Sequence, residues 1–282
     1  MWPTLISLGP IAIHSFGVMV FLGVFLGGFI WWQRGKEEGM EEDSLVDIWL
    51  TAGVISLITA RIGQILSHWQ DFGASWYKMV FFTKFPGLSY EGAWLGAILT
   101  LIILVLKKGW NMWQALDLGV LALVMVEIFS WLGTLLAGSN LGKATGWWWG
   151  LKFPGVETSR QPVQILWFIG LWLLYRLLAK WEKTYRSFNW YQQENGEAKP
   201  GLLLAVYLIV LGLLKLSLGF LTDIKELSYG LGLNQWFGVI LMIGGGLILL
   251  FRSGKLNELK LKTATVKLKP RLKRKKRGFD FK

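Results

Sequence analysis

The chain has 282 residues, 53% of them apolar and 18 of them Trp, with a mean hydropathy of +0.44 and a formal net charge of +12. That apolar share exceeds the roughly 45–50% of an average soluble protein, and several runs reach the ~20 residues that a helix needs to cross a ~30 Å hydrocarbon core. The absence of cysteine excludes a disulfide framework, a cysteine metal site and a thiol nucleophile.

Residues 1–11 contain no Lys or Arg, so they lack the basic start of a signal peptide. The first predicted span is Ile11–Trp32, followed by a polar loop over Gln33–Asp43. Span two is Leu45–His68 and contains Arg61. The amphiphilic stretch Trp69–Gly87, with Trp76, Tyr77, Phe81, Phe82 and Phe85, suits a helix lying in the membrane interface. Span three is Leu88–Leu106, span four Trp113–Ala137 and span five Val163–Leu178. Between the last two, Gly138–Pro162 carries WWWG and FPG; it is too apolar for a solvated loop and reads as an arm resting on the bilayer. Ala179–Pro200 reads as polar and soluble, and spans six and seven as Gly201–Leu221 and Trp236–Phe251. In the last span Gly244–Gly246 permits close helix approach. The expected fold is an all-α polytopic membrane protein with seven transmembrane helices and interfacial arms. It has one membrane domain over residues 1–252 and a basic, disordered cytoplasmic tail over 253–282.

Seven spans place the termini on opposite sides. With the N-terminus outside, the inner loops hold 9 Lys and Arg and the tail from Arg252 holds 13, against 6 in the outer loops. The positive-inside rule therefore puts the tail in the cytoplasm. The charge belongs to that tail, where it suits anionic lipid, and not to a nucleic-acid groove.

Arg61 and Lys215 remain inside spans, where a cation is costly unless it meets a partner or a cavity. Arg61 suits a phospholipid phosphate, an ion pair with Glu91, Glu127 or Asp117, or snorkelling toward an interface. Glu91 heads span three and has three readings: a general base, a salt-bridge partner of Arg61, or a solvated acid in a first helical turn. His14 begins span one near the outer surface. Two histidines 54 residues apart, without cysteine, make no metal site.

Several stretches together resemble prolipoprotein diacylglyceryl transferases, bacterial inner-membrane enzymes that move diacylglyceryl from phosphatidylglycerol to the lipobox cysteine of preprolipoproteins. LGPIAIHSFGVMVFLG is similar to the family's opening GP-x-x-x-H-x-YG, keeping His14 and Gly17. TARIGQIL keeps Arg61 and Gly63 of its GGRIGY stretch, and PGLSYEGAWLGA keeps Ser89, Gly92 and Gly96. The signature region keeps Asp117, Leu132, Gly133, Gly138 and Gly142, and RQPVQIL keeps Pro162 and Gln164. The departures fall on the chemistry. Glu91 stands for the family's histidine, Trp131 for its signature arginine, Thr134 and Ala137 for two asparagines and Ser139 for an acid. Lys215 replaces the arginine of span six, and Gly219 and Thr222 the glutamate and arginine after it.

The resemblance implies Glu91 as catalytic base and Arg61, Lys215, His14, Thr134 and Gly142 around the lipid headgroup, with no cofactor and no metal. The implied partners are phosphatidylglycerol and a preprolipoprotein signal segment. Two readings stay open at this level. One is a diverged transferase; the other is a relative that binds phospholipid or a signal segment without transfer. A transporter or channel would need broken spans or a pore-lining polar pattern, and neither is evident.

Overall fold

A computed structural model describes residues 2–8, 11–73, 75–80, 85, 87–184, 200–222, 226–228 and 230–252. Seven of its helices are long and apolar enough to cross a membrane: α1 (Ser15–Glu37), α2 (Glu42–Ser67), α5 (Tyr90–Lys107), α6 (Met112–Ala137), α7 (Val163–Thr184), α8 (Leu202–Gly219) and α9 (Leu233–Arg252). Two short helices, α3 (Trp69–Phe72) and α4 (Trp76–Val80), lie between α2 and α5. The chain is therefore a polytopic helical membrane protein.

The expectation of a purely helical chain needs correction at the ends of the bundle. β1 (Thr4–Leu8) pairs antiparallel with β2 (Ile11–His14), and β3 (Glu226–Ser228) with β4 (Leu231–Gly232). Ile11–His14, expected inside the first span, carries two β-branched residues in alternation, which suits a strand. Helices α1 and α7 also run on, to Glu37 and Thr184, because continuing the helix keeps its backbone hydrogen-bonded beyond the apolar core. Arg34 and Glu182 join these two extensions at 2.7 Å. The expected tail over 253–282 and most of the polar stretch before Pro200 lie outside the described residues.

The principal helix pairs are α1 with α6, α8 with α9 and α2 with α5, and α7 packs on α6 and α8. Small residues allow two of these approaches. A Cβ on Gly27 of α1 would stand 2.7 Å from the Ala122 carbonyl of α6, and one on Gly238 of α9 2.8 Å from the Gly212 carbonyl of α8. Helices α6 and α8 form the centre, burying Leu116, Leu121, Val124, Leu203, Tyr207 and Leu211. The outer helices turn apolar side chains outward, as with Phe21, Phe25 and Phe29 on one stripe of α1. In water that stripe would be a liability; in lipid it is the solvated face.

Local chemistry sets the ends. The Asn111 side chain caps α6, accepting from the Trp113 N–H at 3.0 Å, and Gly138 closes the same helix in the left-handed region at φ 67°. Helix α8 is capped by another helix: buried Asp117 of α6 accepts from the N–H groups of Gly201 at 2.6 Å and Leu204 at 2.8 Å. The indole of buried Trp31 donates to the Leu45 carbonyl at 2.8 Å and fixes α1 to α2.

Candidate functional site

The starts of α5, α7 and α9 meet the ends of α2, α6 and α8 at one end of the bundle. The Ser89 N–H donates to the Ala60 carbonyl at 2.9 Å, Gly142 pairs with Thr222, and the Lys143 N–H reaches the Leu221 carbonyl at 2.8 Å. Ser89 caps α5 by accepting from the Gly92 N–H at 3.2 Å and also donates to Glu91 Oε2 at 3.2 Å. Glu91 is thereby aimed from the first turn of α5 at α8.

There it meets Lys215. The ammonium lies 3.5 Å from Glu91 Oε1, with the lysine side chain 7% exposed and the glutamate 21% exposed. It also contacts Asn234 Oδ1 at 3.4 Å and sits over the rings of Tyr90 at 4.1 Å and Phe237 at 5.4 Å. A carboxylate, an amide and two aromatic faces together compensate a cation that would otherwise be costly within the bilayer. Glu91 Oε1 makes no hydrogen bond and faces the ammonium as an ion pair. Glu91 is the more accessible partner, so an acid–base group stands beside a buried cation.

Deeper in the bundle lies a second polar group. Tyr90 and Tyr207 both donate to Glu127 Oε1, Tyr207 at 2.8 Å, and the Trp94 indole donates to the Tyr207 hydroxyl at 2.9 Å. Sequence reasoning considered Glu127 only as a partner for Arg61 and passed over Tyr90, Trp94, Tyr207 and Asn234. The signal that singled out Lys215, an ionisable group within an apolar span, applies equally to Glu127.

Arg61 is held by backbone carbonyls. Its Nε donates to the Met79 carbonyl at 3.0 Å, Nη1 to those of Phe85 at 2.8 Å and Gly87 at 3.0 Å, and Nη2 to that of Lys78 at 2.7 Å. The guanidinium also stacks on Phe72 at 5.0 Å. It is 5% exposed, with four of its five N–H groups spent on backbone carbonyls, two in α4 and two just before α5. Glu91 therefore pairs with Lys215, and Arg61 clamps the segment that delivers Ser89 and Glu91. Gly87, at φ 138°, permits the turn there.

The other expected residues share this end of the bundle without joining the pair. His14 precedes α1 and is exposed. Thr134 is buried and turns its hydroxyl back to the Trp131 carbonyl at 2.8 Å. Gly142 is a close-approach position, since a Cβ there would lie 2.8 Å from Val163 Cγ2. Trp131 stacks flat on Trp167, centroids 4.9 Å apart, so an apolar sandwich stands where the resemblance leads one to expect an arginine. Buried Gln164 donates to the Ser139 carbonyl at 2.7 Å and ties α7 to the end of α6. Among the described residues no group of three or more His, Asp or Glu could hold a metal.

Comparison with known proteins identifies the family. The family model described as prolipoprotein diacylglyceryl transferase matches residues 3–251. Phosphatidylglycerol–prolipoprotein diacylglyceryl transferase 2 of Clostridium perfringens is 27% identical over 255 residues, covering 86% of this chain and 92% of that protein. The Campylobacter hominis phosphatidylglycerol–prolipoprotein diacylglyceryl transferase is 26% identical over 262 residues, covering 86% and 88%. That of Methylobacillus flagellatus is 25% identical over 260 residues, covering 86% and 93%. Seven apolar helices and bacterial relatives of this kind indicate a multi-pass protein of the bacterial inner membrane. The chain belongs to the prolipoprotein diacylglyceryl transferase family.

Proposed function

We propose that this chain transfers the diacylglyceryl group of phosphatidylglycerol to the lipobox cysteine of a preprolipoprotein, with Glu91 and Lys215 as the reacting pair. The observation that carries the proposal is the pair itself: a buried cation 3.5 Å from an accessible carboxylate, at the end of the bundle where the family motifs converge. In the reaction the cysteine sulfur attacks the glyceryl carbon next to the phosphate. A C–S bond forms, the C–O bond to phosphate breaks, and glycerol phosphate leaves with the bonding electrons. Glu91 takes the thiol proton, and Lys215 faces the negative charge that grows on the departing phosphate. Lysine is a point charge and lacks the bidentate fork of arginine, so turnover below that of an arginine-bearing site is expected. His14, Thr134 and Gly142 line the same headgroup region, and Arg61 serves it indirectly through the clamp.

In this reading the N-terminus faces outward and the basic tail meets anionic lipid on the cytoplasmic side. The segments over 69–73, 75–80 and 138–162 lie in the outer interface. Trp148, 88% exposed, with Trp147 and Trp149 beside it, suits the headgroup layer. The stacked Trp131 and Trp167 favour a second reading, a phospholipid-binding relative without transfer. Purified protein, phosphatidylglycerol and a lipobox peptide separate the two. A diacylglyceryl adduct on the peptide cysteine, followed by mass and lost in Glu91→Gln and Lys215→Met, supports transfer. Retained phosphatidylglycerol without adduct supports binding alone.

A further inference from the structure

Glu127 lies in the middle of α6, 6% exposed, where a leucine would pack without any desolvation cost. Its carboxylate collects the Tyr90 and Tyr207 hydroxyls on Oε1, while Oε2 is buried without a hydrogen bond. Tyr90 stands between Glu127 and Lys215, its hydroxyl on the carboxylate and its ring 4.1 Å from the ammonium. A phenol that donates to a carboxylate has a more electron-rich ring and binds a cation more strongly.

We propose that Glu127 is a positioning residue for Lys215: through Tyr90 it holds the ring against the ammonium, and its carboxylate stands one phenol away as a second acidic group when Glu91 is neutralised. The inference rests on the transfer reading, in which Glu91 loses its negative charge on accepting the thiol proton. With Glu91 as sole carboxylate partner, the ammonium would lose the only acidic side chain that holds it in place once the thiol proton is transferred. A second carboxylate, deeper and held by two phenols, supplies the charge that Glu91 gives up.

The test uses full-length parent, Glu127→Gln and Tyr90→Phe in phosphatidylglycerol nanodiscs. Reductive methylation with formaldehyde and cyanoborohydride at fixed pH is read at Lys215 by peptide mass and normalised to exposed Lys36. The amide of Glu127→Gln still accepts from both phenols but carries no charge, so Lys215 should be modified on the order of tenfold faster. Tyr90→Phe keeps the ring but loses its tether, so a smaller rise is expected, and this variant decides the matter if Glu127→Gln does not fold. In the transfer assay Glu127→Gln should lower kcat more than it raises KM for phosphatidylglycerol. Parental modification of Lys215 in both variants overturns the proposal. If the parent makes no adduct while the modification rates change as expected, the transfer reading falls and the positioning of Lys215 by Glu127 stands.

Discussion

Arg61→Lys is a sharp test of how the site is delivered. Lysine keeps the positive charge but offers its N–H groups from a single point, so it reaches at most about two of the four carbonyls now spanned by the guanidinium. Losing two hydrogen bonds to a charged group, at roughly 1.5–3 kcal/mol each, gives a gross loss of about 3–6 kcal/mol. Water reaching the freed carbonyls returns part of this. A net loss of about 2–3 kcal/mol raises the population of the detached segment roughly 30–150-fold. Amide hydrogen exchange over residues 69–80 should accelerate by that factor, while exchange in α6 and α8 stays at the parental rate. Phosphatidylglycerol retention should fall only as far as the segment opens. Parental exchange combined with lost lipid would refute the clamp and return the guanidinium to the headgroup.

Three further outcomes follow from the same contacts. Asp117→Ala leaves the Gly201 and Leu204 N–H groups unpaired in the interior, and a loss of roughly 2–4 kcal/mol should appear as a lower thermal midpoint. Gly238→Ala drives a methyl group against the Gly212 carbonyl and the Lys215 Cβ, 3.0 Å away. The strain of about 1–3 kcal/mol should come with faster methylation of Lys215 as α9 is pushed off α8. Glu41, at the opposite end of the bundle, is held below its ordinary value of 4.5 by the Ser44 hydrogen bond first and the Lys108 charge second. A depressed carboxylate stabilises the fold above its unfolded value, and that contribution disappears as pH falls through the folded value. The thermal midpoints of parent and Glu41→Gln should therefore differ near neutrality and converge below about pH 4.5.

The spans were legible because a bilayer demands apolar runs of fixed length, and few other demands write such runs into a sequence. Their ends were less so. Arg34 and Glu182 read as loop residues until tertiary contact joins them across two helix extensions. The β1–β2 hairpin was hidden because its residues are as apolar as the span that follows. At the site, Glu91, Lys215 and Arg61 each stood out as charges near or within spans, but the choice of partner did not. The acceptors of Arg61 are backbone carbonyls, which no side-chain pattern reveals. Glu127 is bonded by tyrosines 37 residues before it and 80 after it in the chain, a separation that only the packing of α5, α6 and α8 closes.

The most direct test of the central claim is a double-mutant cycle on transfer itself, with kcat/KM measured for the parent, Glu91→Gln, Lys215→Met and the double variant. If the ion pair is the reacting centre, each single change costs about 10²-fold or more, and the double change costs little beyond the worse single one. Losses that add fully, or single variants at parental rate, would contradict the account and place the chemistry elsewhere in the bundle.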